Sequence, residues 1–338
     1  MKAIRFHQHG GPEVLRYEDA PDPAPAPGYA RVRVRACALN HLDLWERRGL
    51  DRVSLPLPHI SGSDVAGEVI DAEGFETGAR VLVQPGLSCG RCPACLAGRD
   101  NLCPSYDVLG YRSDGGYAEI VRVPLANLVR IPPHVDFVRA AAFPLTFLTA
   151  WHMLATVARV RPGEDVLVLA AGSGVGQAAV QVARFLGARV IATAGSDEKV
   201  ARASQMGAWG VINHSSGDVA AEVRRLTGGR GVDAAVEHVG QATWEQSIRS
   251  LARGGRVVTC GATTGYATTL DLRHLFARQL SLLGSYMGTK AELLEASHLF
   301  FGGQLTPVVD TTYRLEAAAE AQVRMERREQ FGKIVLEV

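Results

Sequence analysis

Val166-Leu167-Val168-Leu169-Ala170, followed at once by Ala171-Gly172-Ser173-Gly174-Val175-Gly176, is the stretch on which the fold turns. The first five residues are a continuous apolar run, the pattern of a strand buried on both faces of a parallel sheet. The next six are small, so the backbone can turn sharply, and a helix-patterned stretch from Gln177 to Leu186 follows. Strand, small-residue turn and helix N-terminus form the setting in which free amides and the helix dipole receive a pyrophosphate. Aligned on its last glycine, the motif departs from G-x-G-x-x-G, because Ala171 and Ser173 stand at the first two glycine positions. A plain strand–helix turn is the competing reading. A second strand at the expected distance, Arg189 to Ala194, favours dinucleotide binding, with Gly172, Ser173, Gly174, Val175 and Gly176 as the phosphate turn.

Moving outward, Val211-Ile212, Ala234-Ala235-Val236 and Arg256-Val257-Val258-Thr259-Cys260 continue a strand–helix alternation between roughly 150 and 285. That rhythm predicts a doubly wound parallel sheet. A carboxylate ending the second strand would accept from the ribose hydroxyls of NAD. Here the strand runs into Gly195 and Ser196, with Asp197, Glu198 and Lys199 opening the next helix. Small polar residues and a lysine suit a 2′-phosphate, so NADP(H) is expected ahead of NAD(H), although Asp197 also reads as an ordinary helix-start residue. His214, Val239 and the turn Gly261-Ala262-Thr263 follow successive strands and are further cofactor candidates. Cys260 reads as a small buried residue, not a nucleophile.

Residues 1 to about 125 have a different texture, short strands joined by Pro/Gly loops, with Ala30 to Arg35 alternating apolar and charged positions. Within this part lies Cys89-x2-Cys92-x2-Cys95-x7-Cys103. Short gaps of this kind let four thiolates converge on one Zn²⁺, and Pro93, Gly90 and Gly98 favour turns over helix or strand there. With all four ligand places filled by protein, the expected metal is structural, one per chain.

At 338 residues and 47% hydrophobic composition, the chain is long enough for two domains with separate cores. No apolar run reaches membrane-spanning length, and Met1-Lys2-Ala3-Ile4-Arg5-Phe6 reads as a strand, not a signal peptide. Thiolate ligands without a secretion signal point to the cytoplasm. A net charge of +1 with no basic block argues against nucleic acid as the main partner. A small-molecule substrate is expected.

Taken together these residues resemble the medium-chain dehydrogenase/reductase superfamily over nearly the whole chain. The resemblance implies a GroES-like β-barrel catalytic domain over 1–146 with a zinc lobe at 84–105. It further implies a Rossmann domain over 147–288, a return to the first domain over 289–338, and a homodimer or homotetramer joined near residues 260–288. Gly62-Ser63-Asp64-Val65-Ala66-Gly67 falls where zinc alcohol dehydrogenases show Gly-His-Glu-x-x-Gly. Asn40-His41-Leu42-Asp43 falls where they show a zinc-binding Cys, then His-x-Asp, and Leu145 stands at the third ligand place. An amide, a hydroxyl and an alkyl group make a poor zinc site. Cys37, His41, His59 and Asp64 lie close enough in sequence to leave an irregular second site open.

Asn at the Cys place with Asp three residues on resembles zinc-independent quinone oxidoreductases, and the stretches Val236 to Trp244 and Val258 to Tyr266 resemble crotonyl-CoA reductases. The resemblance implies hydride transfer to a conjugated acceptor, with Asn40, His41 and Asp43 as catalytic candidates. It places Thr149 beside the nicotinamide and Lys333 near the cofactor diphosphate; Tyr266 is a further candidate for the substrate pocket. A zinc-dependent alcohol dehydrogenase is the close alternative, and a non-enzymatic nucleotide- or RNA-binding protein the distant one.

Overall fold

The apolar run at Val166 is the middle of a sheet. The computed structural model describes residues 1–50 and 53–338, in two compact units: Met1–Leu145 with Thr289–Val338, and Thr146–Gly288. In the second unit six strands lie parallel in the order Gly210–Asn213, Arg189–Ala194, Asp165–Val168, Val232–Glu237, Leu251–Thr259, Ser281–Gly284. Leu167, Ile191, Ala235 and Val257 build one face of its core. Strand order reverses between Asp165–Val168 and Val232–Glu237, and open sheets of this kind bind ligands at such a switch point.

The first strand ends at Val168, two residues earlier than its apolar run, because Ala170 takes a left-handed φ of 44° to enter the turn. The helix then starts at Gly174, three residues earlier than expected, because Ser173 caps it by accepting from Gly176 N–H at 2.8 Å. A Cβ at Gly176 would lie 2.2 Å from Ala170 O, so this glycine is what lets helix and strand end approach so closely.

The first unit is built on a seven-stranded sheet. Five strands follow Val309–Arg314 in the order Lys333–Glu337, Tyr29–Ala38, Asp64–Asp71, Arg80–Val83, Leu128–Arg130, and Ile120–Pro124 also pairs with Tyr29–Ala38. Val32, Val34, Val65, Val81, Val121, Ile334 and Leu336 belong to its buried cluster. Register matters most at one end. Ala38 pairs with Asp64 on one side and with Val335 on the other, and Leu39 N–H reaches Ile334 O at 2.9 Å. Three distant pieces of sequence, 38–40, 64 and 333–335, therefore meet. Asn40 then opens the helix His41–Arg48. The cysteine loop departs from the expectation of turns alone. Pro93 at the first helical position and Cys92 as its cap support a single helical turn, Pro93–Leu96.

Gly176→Ala should lower stability by about 1–3 kcal/mol through overpacking against the strand end. Thermal unfolding of the folded variant beside wild type checks this, and equal melting temperatures would contradict it.

Candidate functional site

The strand register delivers Asn40, Asp64 and Lys333 to one point in the first unit. Lys333 is 2% exposed, and its ammonium donates to Leu39 O at 2.7 Å, Asn40 Oδ1 at 2.7 Å and Asp64 Oδ2 at 2.9 Å. Three donors meet three acceptors, so the ammonium is saturated. Asn40 Nδ2 donates to Asp64 Oδ2 at 2.9 Å, and Leu145 N–H donates to Asp64 Oδ1 at 2.8 Å. Burying an ammonium and a carboxylate is tolerated only when their remaining hydrogen-bond capacity is met in this way.

This geometry revises several expectations. Lys333, placed near a diphosphate by resemblance, has no donor left for phosphate. Asn40 uses both ends of its amide within the protein, so it fixes its turn and does not present a free donor. Leu145 contributes its backbone N–H where a ligand side chain was sought, and Ser63 is fully buried with its hydroxyl unpartnered among the described residues. Cys37, His41, His59 and Asp64 are not gathered into a metal site. His59 bonds Gly110 O through Nε2 at 2.7 Å, and burial lowers its pKa.

Asp43 lies fully buried one turn into the Asn40 helix, so it has no direct access for a proton relay. Its Oδ2 accepts from Asn40 N–H at 2.8 Å and from Tyr117 O–H at 2.7 Å. Burial pushes its carboxyl up to about 6, while the Asn40 amide, the Tyr117 hydroxyl and the Lys333 charge pull it back. Burial also raises the Tyr117 phenol and the Cys37 thiol, with Asp43 adding to both. His41, the first helical residue, is half-buried beside Trp45, with ring centroids 6.4 Å apart. Tyr117 was missed in the sequence, where nothing ties it to a residue 74 positions away.

The four cysteines converge as their spacing predicts. Their sulfurs all lie within 4.8 Å of one another, with Cys92 and Cys95 at 3.5 Å and Cys89 and Cys95 at 4.0 Å. A tetrahedral zinc with Zn–S bonds of about 2.3 Å needs sulfurs about 3.8 Å apart, so the set fits that ion. Backbone amides support sulfur charge: Cys95 N–H points at Cys92 Sγ and Cys89 N–H at Cys103 Sγ, each at 3.5 Å. The amides of Arg91 and Cys92 pull the Cys89 thiol down to about 6. Among the described residues this is the one group of three or more such donors that can hold a metal. Asp100, inside the loop, accepts from Lys290 N–H at 3.2 and 3.3 Å, so the lobe also holds the first turn of the helix Lys290–Phe301.

In the second unit the turn Ala171–Gly176 sits at the switch point of the sheet, and the amides of its helix start have no carbonyl behind them. That cradle fits a dinucleotide phosphate. Ser196 caps the helix Asp197–Gln205 through Lys199 N–H at 3.3 Å, and Asp197 accepts from Asn213 at 2.7 Å. His214 Nδ1 lies 3.3 Å from Thr193 Oγ1, at the ends of the second and third strands. Thr149 is buried, with its hydroxyl 4.0 Å from Met287 sulfur.

Glu237, another residue the sequence did not flag, is buried at the end of its strand. It accepts from Val239 N–H at 2.7 Å, Gly240 N–H at 3.0 Å and Ser247 O–H at 2.6 Å, and so shapes the Val239 turn. Gly261 approaches that turn closely, since a Cβ there would lie 3.3 Å from His238 O, while Thr263 Oγ1 donates to Val239 O at 3.4 Å. Ala262 comes nearer still, its Cα 2.8 Å from a Cβ built on Gly240. Burial raises the Cys260 thiol to about 12, so it is no nucleophile at neutral pH. Tyr266 is exposed.

Comparison with known proteins follows the same division. Residues 26–133 match the family model of the alcohol dehydrogenase GroES-like domain, and residues 174–301 that of zinc-binding dehydrogenase. A quinone oxidoreductase of Pseudomonas aeruginosa is 34% identical over 350 aligned positions, covering 99% of each chain. A solved NAD-dependent alcohol dehydrogenase is 51% identical over the full length of both chains, with a TM-score of 0.97. A crotonyl-CoA carboxylase/reductase solved in complex with NADP is 26% identical, covering 100% of this chain and 94% of that one, with a TM-score of 0.92.

Two outcomes follow from this geometry. Cys95→Ser should lower metal content and melting temperature together, because zinc binding energy contributes to folding. Wild-type stability with loss of turnover alone would speak against a structural lobe. Lys333→Met should destabilise by about 3–5 kcal/mol, since Asp64 is left as an unpaired buried charge, and adding Asp64→Asn should recover part of that loss. Denaturant unfolding of the single and double variants checks the coupling.

Proposed function

We propose an NADPH-dependent reductase of conjugated acceptors, on the premise that the chain belongs to the medium-chain dehydrogenase/reductase superfamily. The observation that carries the proposal is the Lys333–Asp64–Asn40 network. Where zinc-type relatives present metal ligands, this chain has an amide engaged at both ends, a hydroxyl and an alkyl side chain. Such a donor set does not suit zinc. Without a Lewis acid, the alkoxide of a simple alcohol lacks its main stabiliser. An enone, quinone or enoyl thioester needs it less. Hydride addition at the β-carbon spreads charge onto an enolate or quinol oxygen, and a proton from water or a side chain completes the reduction.

When bound, the reduced nicotinamide supplies the hydride. The chain supplies the phosphate turn Gly172–Gly176, the Val239 and Gly261–Thr263 turns and Thr149 to orient the cofactor. The absence of a carboxylate at Gly195-Ser196, with Lys199 beyond, supports NADPH. His41, at the helix start held by Asn40 and Asp43, is the proposed polar side chain for orienting the cofactor or relaying a proton. The four-cysteine lobe carries one structural zinc, as its sulfur geometry supports. Assembly as a homodimer or homotetramer through the edge strand Ser281–Gly284, in the cytoplasm, completes the proposal.

A second reading, an NAD-dependent alcohol dehydrogenase, is favoured by the solved relative of that name at 51% identity. One experiment separates the two. NADPH and NADH are tested against enones, quinones, enoyl thioesters, aldehydes and alcohols, with zinc measured on the same sample. The expected result is faster reduction of conjugated acceptors, one zinc per chain, and NADPH preferred, with the preference reduced in Lys199→Ala. Zinc-dependent alcohol oxidation with a second bound zinc would overturn the reductase. Tighter binding of NADH would overturn the cofactor assignment.

A further inference from the structure

The Asn40 helix carries a second buried carboxyl that hydride transfer does not use. Glu46 lies one turn beyond Asp43, fully buried, and neither of its oxygens has a hydrogen-bond partner among the described residues. Arg47, its sequence neighbour, and Lys333, which faces Asp43, are both already engaged. Lys333 is held by Asp64, and Arg47, fully buried next to Glu46, donates to Gln322 at 2.8 Å, to Glu326 and to Gly10 O at 3.3 Å. The groups facing Glu46 are instead Asp43 on its own helix, the Ser61 hydroxyl ahead of the strand Asp64–Asp71, and Asp107 from the short strand Asp107–Val108. The His9 ring lies 3.0 Å from Glu46 O, on the backbone and not on the carboxyl. Asp43 in turn faces Lys333, Asp64, Tyr117 and Cys37.

We propose that Glu46 is a positioning residue that keeps its proton beside Asp43, so that Asp43 alone carries the charge clamping the Asn40 turn. With one proton in the pair, ionised Asp43 holds Asn40 N–H and Tyr117 O–H in place, and with them the helix start that presents His41. Removing the second proton puts two anions one helical turn apart with one ammonium nearby, already paired to Asp64. The clamp then loosens. Burial and the neighbouring Asp43 charge both raise the Glu46 carboxyl well above the usual carboxylate range, in keeping with this arrangement. Linkage fixes the sign. A folded-state pKa above the unfolded one means that the folded protein binds the extra proton, so stability is lost as pH climbs from about 4 upward through the folded values.

The inference concerns the site read above as a reductase, but one arm of its test needs no substrate. Melting temperature is followed from pH 6 to 10 for wild type and Glu46→Gln. On the same samples, turnover of whichever acceptor reacts is recorded as a pH profile scaled to its own maximum. Wild type should lose melting temperature relative to the Gln variant as pH rises. Its alkaline limb should lie at least about one pH unit below that of the variant, the tenfold change in proton affinity that one unit represents. Glu46→Leu, which fills the space without a titratable group, should repeat the result if Gln fails to fold. A constant difference in melting temperature, or superimposable alkaline limbs, would overturn the inference. A protein inactive on conjugated acceptors that still shows the pH-dependent gap would sink the reductase reading and leave the role of Glu46 standing.

Discussion

The ion pair between Lys333 and Asp64 is the constraint around which the first unit closes. Neither charge survives burial alone. Each is satisfied because four stretches arrive together: the C-terminal strand with Lys333, the strand with Asp64, the turn with Leu39 and Asn40, and Leu145 at the edge of the unit. The strand pairings Ala38–Asp64 and Ala38–Val335 bring these groups into range. A register slip of one residue would turn each side chain to the other face and strand both charges. The pair therefore works less as a source of stability than as a check on register.

This also bears on the chemistry. Lys333 is the cation nearest Asn40, yet its three protons face protein acceptors, and its charge is matched by Asp64. A neutral, internally satisfied network offers little to a developing alkoxide, because electrostatic stabilisation needs donors aimed at where charge appears. A reaction whose product anion is delocalised asks least of such a site. The buried Asp43 carboxylate, which faces Lys333 and Asp64, adds negative character, and this disfavours placing a localised anion nearby.

Much of the fold was legible because it depends on local pattern. The apolar run at Val166, the small-residue turn behind it and the strand at Arg189 each appear where their periodicity placed them. Errors of two or three residues arose at caps, where Ser173 and the left-handed Ala170 decide the boundary through geometry that composition does not carry. The cysteine loop was legible for the same reason, since its four ligands lie within fifteen residues. The Asn40 site was only half legible. Asn40, Asp43 and Asp64 stood out by position. The partners that define their roles, Tyr117 and Lys333, come from 74 and 293 residues away and are brought in by sheet register, to which no motif points. Lys333 was misplaced for that reason, its charge visible in the sequence and its acceptors not.

Two loops of the chain gather charge in different ways. Around residues 89–103 four sulfurs lie within 4.8 Å of one another, a donor set that fits a zinc ion. Around Asn40 the loop lies within a well-packed sheet, and the positive charge arrives on the chain's own last strand. A metal bound at the first place would be open to a chelator, whereas the ammonium at the second is lost only with the strand that carries it. The two anchors are also joined at the return of the chain. Asp100 of the cysteine lobe holds the start of the helix Lys290–Phe301, and the same segment continues to Lys333. The cysteine lobe and the strand that supplies the internal cation are therefore connected through one continuous stretch of backbone.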